Sequence, residues 1–564
     1  MKERELTLRA LLTGILIGAL LTPCNIYSGL KIGWSFNMSI IALLLGFGFW
    51  RGLQRLRGIE PWTLKESNIG QTTASSAASI ISGGLVAPIP AYTLLTGDQL
   101  PVFSLVAWVF AVSFLGIWVA WYLRPLVIIN SPLKFPTGIA TLETMQDIFA
   151  QGREALRKIL LLTVSTLISA TVKFVHSIVL AAPQWAPGSL LKKLTFSFEP
   201  SLLLLGFGAI IGTRVGISLL FGAIIAWGAI APVLLQQGIV DGQGESFFGP
   251  LVEWLIWPGV SLMVAATLTS FFYQFLQALP SPRHIFSNYQ THAISRAALL
   301  GFLLAATMVI ILQMVLFNIS LAMAVLAVPI AVLLATVAAR VVGETGIPPI
   351  GAIGKVSQLS FGLADPGNTV TNLMTANIAG GAAGQSADLL NDFKAGHGIQ
   401  ASPQKQAIAQ CFGIFVGSLT GVFVYVALIP DPATMLLTVE WPAPAVATWK
   451  AVAEALSQGF SSIPASARLA MYISIGIGVV LGLSECLLEP EKRRYLLSAP
   501  AFGLAFVIPA SISIIMCAGA LIAWLVTRFF PNLSKRFLIT IAAGLVAGES
   551  ITGVLSAFWQ MTNF

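Results

Sequence analysis

The chain has 564 residues, of which 56% are hydrophobic and only 10% are charged, and its formal net charge is +8. Soluble proteins carry about 25% charged residues, so this composition excludes a water-soluble fold and indicates a polytopic membrane protein. The excess of Lys and Arg invites a nucleic-acid function. These residues lie at the ends of apolar runs, however, where they orient helices and contact lipid headgroups, so the expected partner is the lipid bilayer and not nucleic acid.

The N-terminal segment MKERELTLRALLTGILIGALLT joins a basic start to an apolar run, as a signal peptide does. It has no A-x-A-type cleavage site and the run continues toward Leu30, so the segment predicts a retained first span. Basic residues flank the first two spans on one side of the predicted hairpin: Lys2, Arg4, Arg9, Arg51, Arg55, Arg57 and Lys65. This pattern predicts a cytoplasmic N-terminus in the cell (inner or plasma) membrane.

Apolar runs long enough to cross a bilayer, about 20 residues each, recur along the chain. They lie near residues 8–30, 33–50, 101–123, 156–180, 201–235, 251–279, 293–318, 319–342, 403–429, 465–486, 500–527 and 535–559. The run at 201–235 reads as one helix or as two shorter ones divided around Gly212. Half-spans are expected at 67–96, 131–150, 346–362 and 367–392. The sequence predicts an all-α polytopic membrane protein of about 12–16 transmembrane helices, some broken or re-entrant.

Short similarities suggest an internal duplication. RALL at Arg9 returns as RAALL at Arg296, and ISLL with GAIIAW, from Ile217, returns as ISII with GALIAW, from Ile512. Short apolar matches also arise by chance. Together with the paired polar segments described next, they predict two repeated halves, residues 1–290 and 291–564, within a single membrane domain.

Two polar, glycine-rich segments lie between the apolar runs, at Ser67–Leu85 and Gly343–Gly398. Lipid cannot hydrogen-bond exposed backbone, so such segments survive at membrane depth only where they line a cavity or are buried in protein. Their corresponding places in the two halves are typical of a transporter binding site. The alternative is that both are surface loops.

Uncharged polar residues dominate these segments and suit a zwitterionic, amide-rich solute better than a simple ion. Helix packing through small residues is a competing use of the Gly, Ala and Ser content. The candidate substrate-binding residues are Asn25, Tyr27, Lys31, Gln71, Thr72, Ser75, Lys355, Gln358, Asn372, Asn377 and Gln385.

Ionisable groups within apolar surroundings are functional candidates because burying them is expensive. Glu143 and Asp147 stand four residues apart, so a helix places both on one face, and Asp388 and Asp392 repeat that spacing. Paired carboxylates can carry a proton or hold a cation. The candidate proton-coupling residues are Glu143, Asp147, Glu344 and Asp388, with helix capping as the competing interpretation. Asp392, near Lys394 and a polar turn, is expected to cap a helix or to lie at the membrane surface.

Other functions receive little support. The four cysteines are widely spaced, and none of the four histidines is spaced as a metal site, so no metal or cofactor is predicted. No P-loop, HExxH, GxSxG or strand-borne GxGxxG is present, and an enzyme is not expected. Asp388-x-x-x-Asp392 alone lacks the second acidic cluster of an intramembrane prenyltransferase, and the polar segments do not form the repeated filter of a channel. The amphipathic segment Pro444–Phe460 predicts an interfacial helix lying on the membrane.

Several motifs together resemble the oligopeptide transporter (OPT) family, and in particular its yellow stripe-like branch, which carries metal chelates. They run in order along nearly the whole chain: LTLRALLTGILIGALLTPCNIYSGLKIGWSFNMSI, ESNIGQTTASSAAS, SPLKFPTGIATLE, GISLLFGAIIAW, GETGIPPIGAIGKVSQL, PGNTVTNLMTANIAGGAAGQSADLLNDFKAG, SPQKQAIAQCFG and TWKAVAEAL. The NPG and KIPPR motifs of the eukaryotic peptide branch have only faint counterparts at Asp365–Gly367 and Ile347–Ile350, and the chain looks like a short prokaryotic member.

The resemblance implies a proton-coupled importer of roughly sixteen helices that forms a homodimer. Small peptides or peptide-like solutes are the favoured substrates, and metal–chelate complexes of the siderophore or nicotianamine type are the alternative. With no nucleotide motif, accumulation of a solute has to draw on an ion gradient, and the proton is the simplest choice.

Overall fold

A computed structural model describes residues 4–562 apart from 34, 36, 132, 151, 180–184, 243–245, 279–295, 347 and 460–462. This described part of the chain is helical and contains no β-strand beyond two isolated bridges. The α-helices are, in chain order, α1 (Leu8–Ile32), α2 (Ser39–Arg57), α3 (Leu64–Ala78), α4 (Pro88–Thr96), α5 (Val102–Arg124), α6 (Pro136–Ala150), α7 (Gly152–Phe174), α8 (Ser189–Lys193), α9 (Leu202–Ile211), α10 (Thr213–Ala223), α11 (Ala231–Gln236), α12 (Phe248–Ala278), α13 (Arg296–Phe317), α14 (Leu321–Thr345), α15 (Ile350–Ala364), α16 (Thr369–Gly398), α17 (Pro403–Leu428), α18 (Pro432–Met435), α19 (Pro444–Gln458), α20 (Ala465–Leu487), α21 (Pro490–Arg493), α22 (Ala499–Leu504), α23 (Ala510–Phe529) and α24 (Pro531–Thr562).

Within the described residues, twelve helical stretches are long and apolar enough to cross a membrane. This confirms the polytopic all-α fold class. One of these stretches, Leu64–Thr96, joins α3 and α4 through a 3-10 turn at Ser79–Gly83. Three π-helical segments lie at Pro125–Ile129, Val175–Val179 and Ile224–Ile230. The first two follow the ends of α5 and α7, and the third joins α10 to α11. The two-fold repeat of the halves 1–290 and 291–564 stays a prediction.

Local sequence signals explain where the central helices begin and end. The Thr63 side chain and the Glu66 carboxylate form a capping box at the start of α3. Asn368 accepts a hydrogen bond from the Thr371 amide at the start of α16. Gly212, with φ +81° and ψ 172°, separates α9 from α10, so the run at 201–235 is indeed broken.

Helix α16 forms the centre of the molecule. Every residue from Thr371 to Phe393 is buried, and α3, α5, α14, α15, α17 and α19 pack around it. At 30 residues it is about 45 Å long, so the predicted half-span at 367–392 is in fact a full-length helix. A second group of helices, α7, α9, α10, α23 and α24, packs beside this centre. Residues 67–78 and 371–393 are therefore interior helices and not surface loops, and the exposed turn at 366–368 is a part of the second segment that lies at the surface.

The prediction that Pro444–Phe460 lies on the membrane surface is wrong for the part that the structure describes. Helix α19 packs inside the protein, between α4, α12, α15 and α16. Trp449 is only 7% exposed, because Gly354 provides the space for its ring: Cζ2 would lie 2.5 Å from a Cβ at that position. The amphipathic pattern reflects the packing of one helical face against the core, and on the polar face Lys450 pairs with Glu454 of the same helix.

Candidate functional site

Two groups of buried ionisable side chains lie along α16. Lys355 of α15 lies near Asn372 in the first part of the helix, with Gln358 between them. Asp388 and Asp392 lie in the second half of the helix. Sixteen residues separate Asn372 from Asp388, which corresponds to about 24 Å of helix. Because α16 is enclosed by other helices, these polar groups have protein neighbours and not lipid around them.

Asp388 lies between α16, α3 and the residues before α2. The Ser75 hydroxyl is 3.1 Å from both carboxylate oxygens, and the Asn37 side-chain amide donates to Oδ1 at 3.1 Å. Ser39 in turn donates to the Ser75 hydroxyl at 3.0 Å. Asp388 is 6% exposed. Its carboxylate is therefore held by neutral donors.

Asp392 lies one helical turn further along α16 and is 1% exposed. The Gln71 side-chain amide donates to Oδ1 at 3.0 Å, while Oδ2 has no hydrogen-bond partner in the described part of the chain. Lys394 does not neutralise it, since its ammonium donates to the Leu133 carbonyl at 2.9 Å. Among the described residues, neither aspartate forms an ion pair. Two adjacent buried carboxylates without a counter-ion favour sharing a proton or holding a cation.

Buried amide and hydroxyl groups around the centre have unused hydrogen-bonding capacity. Within the described residues, the following buried side chains of α3, α15, α16 and α17 carry at least one atom without a partner: Asn68, Gln71, Ser357, Thr371, Gln385, Asn391 and Gln410. A buried polar group without a partner costs about 1–3 kcal/mol, so these atoms favour hydrogen bonds to a polar solute or to water.

Lys355 of α15 is the ionisable residue of the group near the start of α16. Its side chain is 3% exposed, and its ammonium lies 4.3 Å from the centre of the Trp449 ring and 3.2 Å from Gln358 Oε1. Gln358 Nε2 donates to Asn372 Oδ1 at 3.1 Å and to the Trp449 carbonyl at 3.2 Å. The predicted residues Lys355, Gln358 and Asn372 thus come together, with Trp449 as an additional member.

Tyr27 and Lys31 form a third polar group at the end of α1. The Lys31 ammonium lies 4.6 Å from the centre of the Trp441 ring and donates to the Glu440 carbonyl, and the Tyr27 ring packs edge-on against Trp441 at 5.4 Å. This group contacts the segment before α19, whereas Lys355 contacts α19 itself.

The remaining predicted binding residues are buried but have structural contacts. Asn25 donates to the Ala78 carbonyl at 3.0 Å, where α3 gives way to its 3-10 turn. Asn377 accepts from Trp108 Nε1 at 2.7 Å. Thr72 accepts from the Gln71 amide at 3.1 Å, and Gln385 packs against Gly116 of α5.

Three of the predicted proton-coupling residues are not buried. Glu143 and Asp147 are exposed on α6, and Glu344 is exposed at the end of α14. A proton-coupling carboxyl needs burial or a close neighbouring charge to favour its protonated form, and these exposed positions do not supply burial. Asp388 meets that requirement, and so does Asp392.

Sequence reasoning overlooked part of the site. The sequence favours a helix-capping or surface position for Asp392, whereas the structure buries it; its i,i+4 spacing from Asp388 is the signal for a buried pair. The sequence indicates Trp449 only as one residue on the apolar face of the amphipathic segment Pro444–Phe460. Asn37 and Ser39 precede or begin α2 and have no signal of their own, since only the packing of α2 near α3 brings them to the carboxylates.

The chain matches the family model described as "OPT oligopeptide transporter protein" over residues 5–560. It is 23% identical to a putative oligopeptide transporter of Saccharomyces cerevisiae, covering 99% of this chain and 97% of that protein. It is 26% identical to a putative oligopeptide transporter of Haemophilus influenzae, covering 94% of this chain and 92% of that protein. It is also 26% identical to a probable metal-nicotianamine transporter of Oryza sativa subsp. japonica, covering 97% of this chain and 88% of that protein.

Proposed function

From the premise that this chain belongs to the OPT oligopeptide transporter family, we propose that it is a proton-coupled importer of small peptides or peptide-like solutes. We place it in the cell membrane with a cytoplasmic N-terminus. The basic residues Arg51, Arg55 and Arg57, exposed at the end of α2, support that orientation. The family resemblance further leads us to propose a homodimer, which the mass of the protein–detergent complex, corrected for the micelle, will test.

The observation that carries the proposal is the buried polar helix α16, with uncompensated charge near each end. Asp388, Asp392 and Lys355 are buried without ion-pair partners among the described residues, and each would cost several kcal/mol in its charged form, which supports a functional reason for their presence. In a transporter these groups act on the solute and the coupling ion, and the buried amides of α3, α16 and α17 that lack partners suit a peptide backbone.

We assign proton coupling to Asp388 together with Asp392. One proton shared by the pair removes the repulsion between two adjacent carboxylates, and Ser75 and Asn37 hold Asp388 in a fixed geometry. Release of the proton on the cytoplasmic side restores the repulsion. The pair therefore links protonation to the packing of α16 against α3, where its donors Ser75 and Gln71 lie.

Import of metal–chelate complexes is the second candidate function. The probable metal-nicotianamine transporter among the relatives favours it, and so does the buried ammonium of Lys355, which suits a carboxylate-bearing chelator. A chelate arrives with its metal already ligated, so this function needs no ligand cluster from the protein.

Competition between substrates will separate the two candidates. Proteoliposomes that contain the purified protein are supplied from outside with a labelled tripeptide, or with a labelled zinc complex of a tricarboxylate amino-acid chelator. Unlabelled di- to pentapeptides and unlabelled chelate then compete for uptake. We expect peptides to compete with the labelled tripeptide. Preference for the chelate would support the second function, and uptake of neither class would contradict both.

A further inference from the structure

We infer that the ammonium of Lys355 binds a carboxylate of the transported solute, and so selects solutes that carry a free carboxylate. This inference rests on the proposed function and deepens it. It assigns one charged group of the solute to one end of α16. A peptide C-terminus and a carboxylate of a metal chelator share this chemistry.

Lys355 is buried, and among the described residues it has no anionic or main-chain carbonyl partner, in contrast to Lys31, Lys394 and Lys450. Lys31 donates to the Glu440 carbonyl, Lys394 donates to the Leu133 carbonyl, and Lys450 pairs with Glu454 at 2.6 Å. Lys355 has only Gln358 Oε1 and the face of Trp449. An ammonium has three donors, so the contacts observed leave part of its capacity for an incoming anion.

The surroundings of Lys355 are fixed before any solute arrives. Gln358 Nε2 bonds Asn372 Oδ1 and the Trp449 carbonyl, and the Asn372 amide donates back to the Gln358 carbonyl at 2.5 Å. These bonds turn Gln358 Oε1 toward the ammonium. Trp449 is held between the glycines at 354 and 380, with Cη2 3.7 Å from where a Cβ at Gly380 would stand. Prearranged groups of this kind reduce the cost of ordering the site when an anion binds.

The charges along α16 also give the solute a direction. Asp388 and Asp392 would repel a carboxylate, whereas Lys355, near the first turn of the helix, would attract it. A solute with a carboxylate at one end and neutral or cationic groups elsewhere matches this arrangement. A solute whose carboxylate is blocked loses the charged contact and leaves the ammonium buried without a partner.

Binding of matched peptides tests the inference on the full-length protein in detergent. The probes are trialanine, trialanine amide and the zinc complex of a tricarboxylate amino-acid chelator. We expect wild-type protein to bind trialanine about 10- to 100-fold more tightly than its amide, as the loss of a charge-assisted hydrogen bond implies. Lys355→Met should bind the acid and the amide about equally, and its affinity for the chelate should fall by a similar factor.

Lys450→Met is the matched control, since it removes the neighbouring lysine of α19 that already has Glu454 as a partner, and it should bind the probes as the wild type does. If Lys355→Met fails to fold, the acid–amide ratio of the wild type and the Lys355→Gln variant decide the question. Equal wild-type affinities for the acid and the amide, with chelate binding unchanged in the variants, would overturn the inference and leave the proposed function standing. Absence of binding by all three probes would overturn the proposed function itself.

Discussion

Asp388 carries the coupling proposal at the scale of single residues. Its neutral analogue keeps the size of the side chain and the hydrogen bonds that Ser75 and Asn37 make possible, but it cannot bind or release a proton. The variant Asp388→Asn should therefore lose accumulation driven by a pH gradient and retain exchange of labelled for unlabelled solute. Both activities are measured in the same proteoliposomes.

Asp98→Asn is the control for this change, because Asp98 is an exposed aspartate in the loop after α4. It should accumulate solute as the wild type does. Full accumulation by Asp388→Asn, in protein that exchanges solute normally, would show that another group carries the proton.

Glu5 anchors the segment before α1 to two other helices. It accepts from Lys65 and from Lys405, each at 3.2 Å, and from the Ser402 amide at 3.3 Å. Burial raises the pKa of Glu5, but the contacts with Lys405, Lys65 and Ser402 outweigh burial and hold the pKa below its ordinary value of 4.5. A carboxyl whose pKa is lowered by folding stabilises the fold above its ordinary pKa, and that contribution disappears as the pH falls through the folded-state pKa.

Glu5→Gln should therefore lower the apparent Tm at pH 7, by the equivalent of about 1 kcal/mol or less, with the difference from wild type shrinking below pH 4.5. Thermal unfolding in detergent, at pH 7 and below pH 4.5, measures this difference in apparent Tm. Glu60→Gln is the control, because its pair with Arg4 is about 70% exposed on both sides and should contribute almost nothing. A difference that grows on acidification would contradict the sign of the pKa shift.

The identities of many site residues could be read from the sequence, but their partners could not. Lys355, Gln358 and Asn372 lie within 18 residues of one another, and the polar segment itself drew attention to them. Trp449, which completes that group, comes from a helix far along the chain, so only tertiary packing reveals it. Tertiary packing also explains why Asp388 is buried and Glu143 is exposed. Their i,i+4 spacing to a second carboxylate is the same, so spacing alone cannot distinguish a buried pair from an exposed one.

At the scale of elements, α16 depends on close approach by its neighbours. A Cβ at Gly381 would collide with Val112 Cγ1 of α5 and would lie 2.7 Å from the Ser82 carbonyl oxygen. In Gly381→Ala, overpacking should lower the free energy of unfolding by about 1–3 kcal/mol. The better helix propensity of Ala offsets about 1 kcal/mol of this loss. Thermal unfolding in detergent will show a lower apparent Tm.

The adjacent residue provides the control for this experiment. A Cβ at Gly380 would meet Ile350 at 3.6 Å, an ordinary contact, so Gly380→Ala should be neutral or slightly stabilising. Equal Tm values for the two variants would mean that α5 does not approach α16 as closely as described.

Apolar length predicted most helices well, and errors arose where helices are polar or interrupted. The run read at 500–527 is divided into α22 and α23, since Pro509 precedes the second helix and cannot continue the first. The polar, glycine-rich composition of α16 predicts a half-span over 367–392, and the amphipathic pattern of α19 predicts an interfacial helix. Both are buried helices whose environment is protein, which hydropathy does not measure.

At the scale of the whole molecule, the proposed orientation fixes the side of each loop. With a cytoplasmic N-terminus, Gly58 at the end of α2 lies on the cytoplasmic side, because the Arg4–Glu60 and Arg9–Glu66 pairs hold the residues after α2 beside the start of α1. The stretch Leu64–Thr96 then brings the chain outside at Gly97. In a chain whose four cysteines are replaced by alanine, a cysteine at position 97 should react with an impermeant maleimide in intact cells. A cysteine at position 58 should react only after permeabilisation. The reverse pattern would invert the topology.

The central claim is that a proton gradient drives accumulation of the solute. The direct measurement is uptake of labelled tripeptide, and separately of labelled zinc chelate, into proteoliposomes of the wild-type protein with an acidic exterior and an inside-negative potential. One proton moving through 100 mV releases about 2.3 kcal/mol, enough for roughly a fifty-fold concentration ratio. The account predicts accumulation of at least one solute well above its external concentration, abolished by a protonophore. Uptake that stops at equal concentrations and does not respond to the protonophore would contradict it.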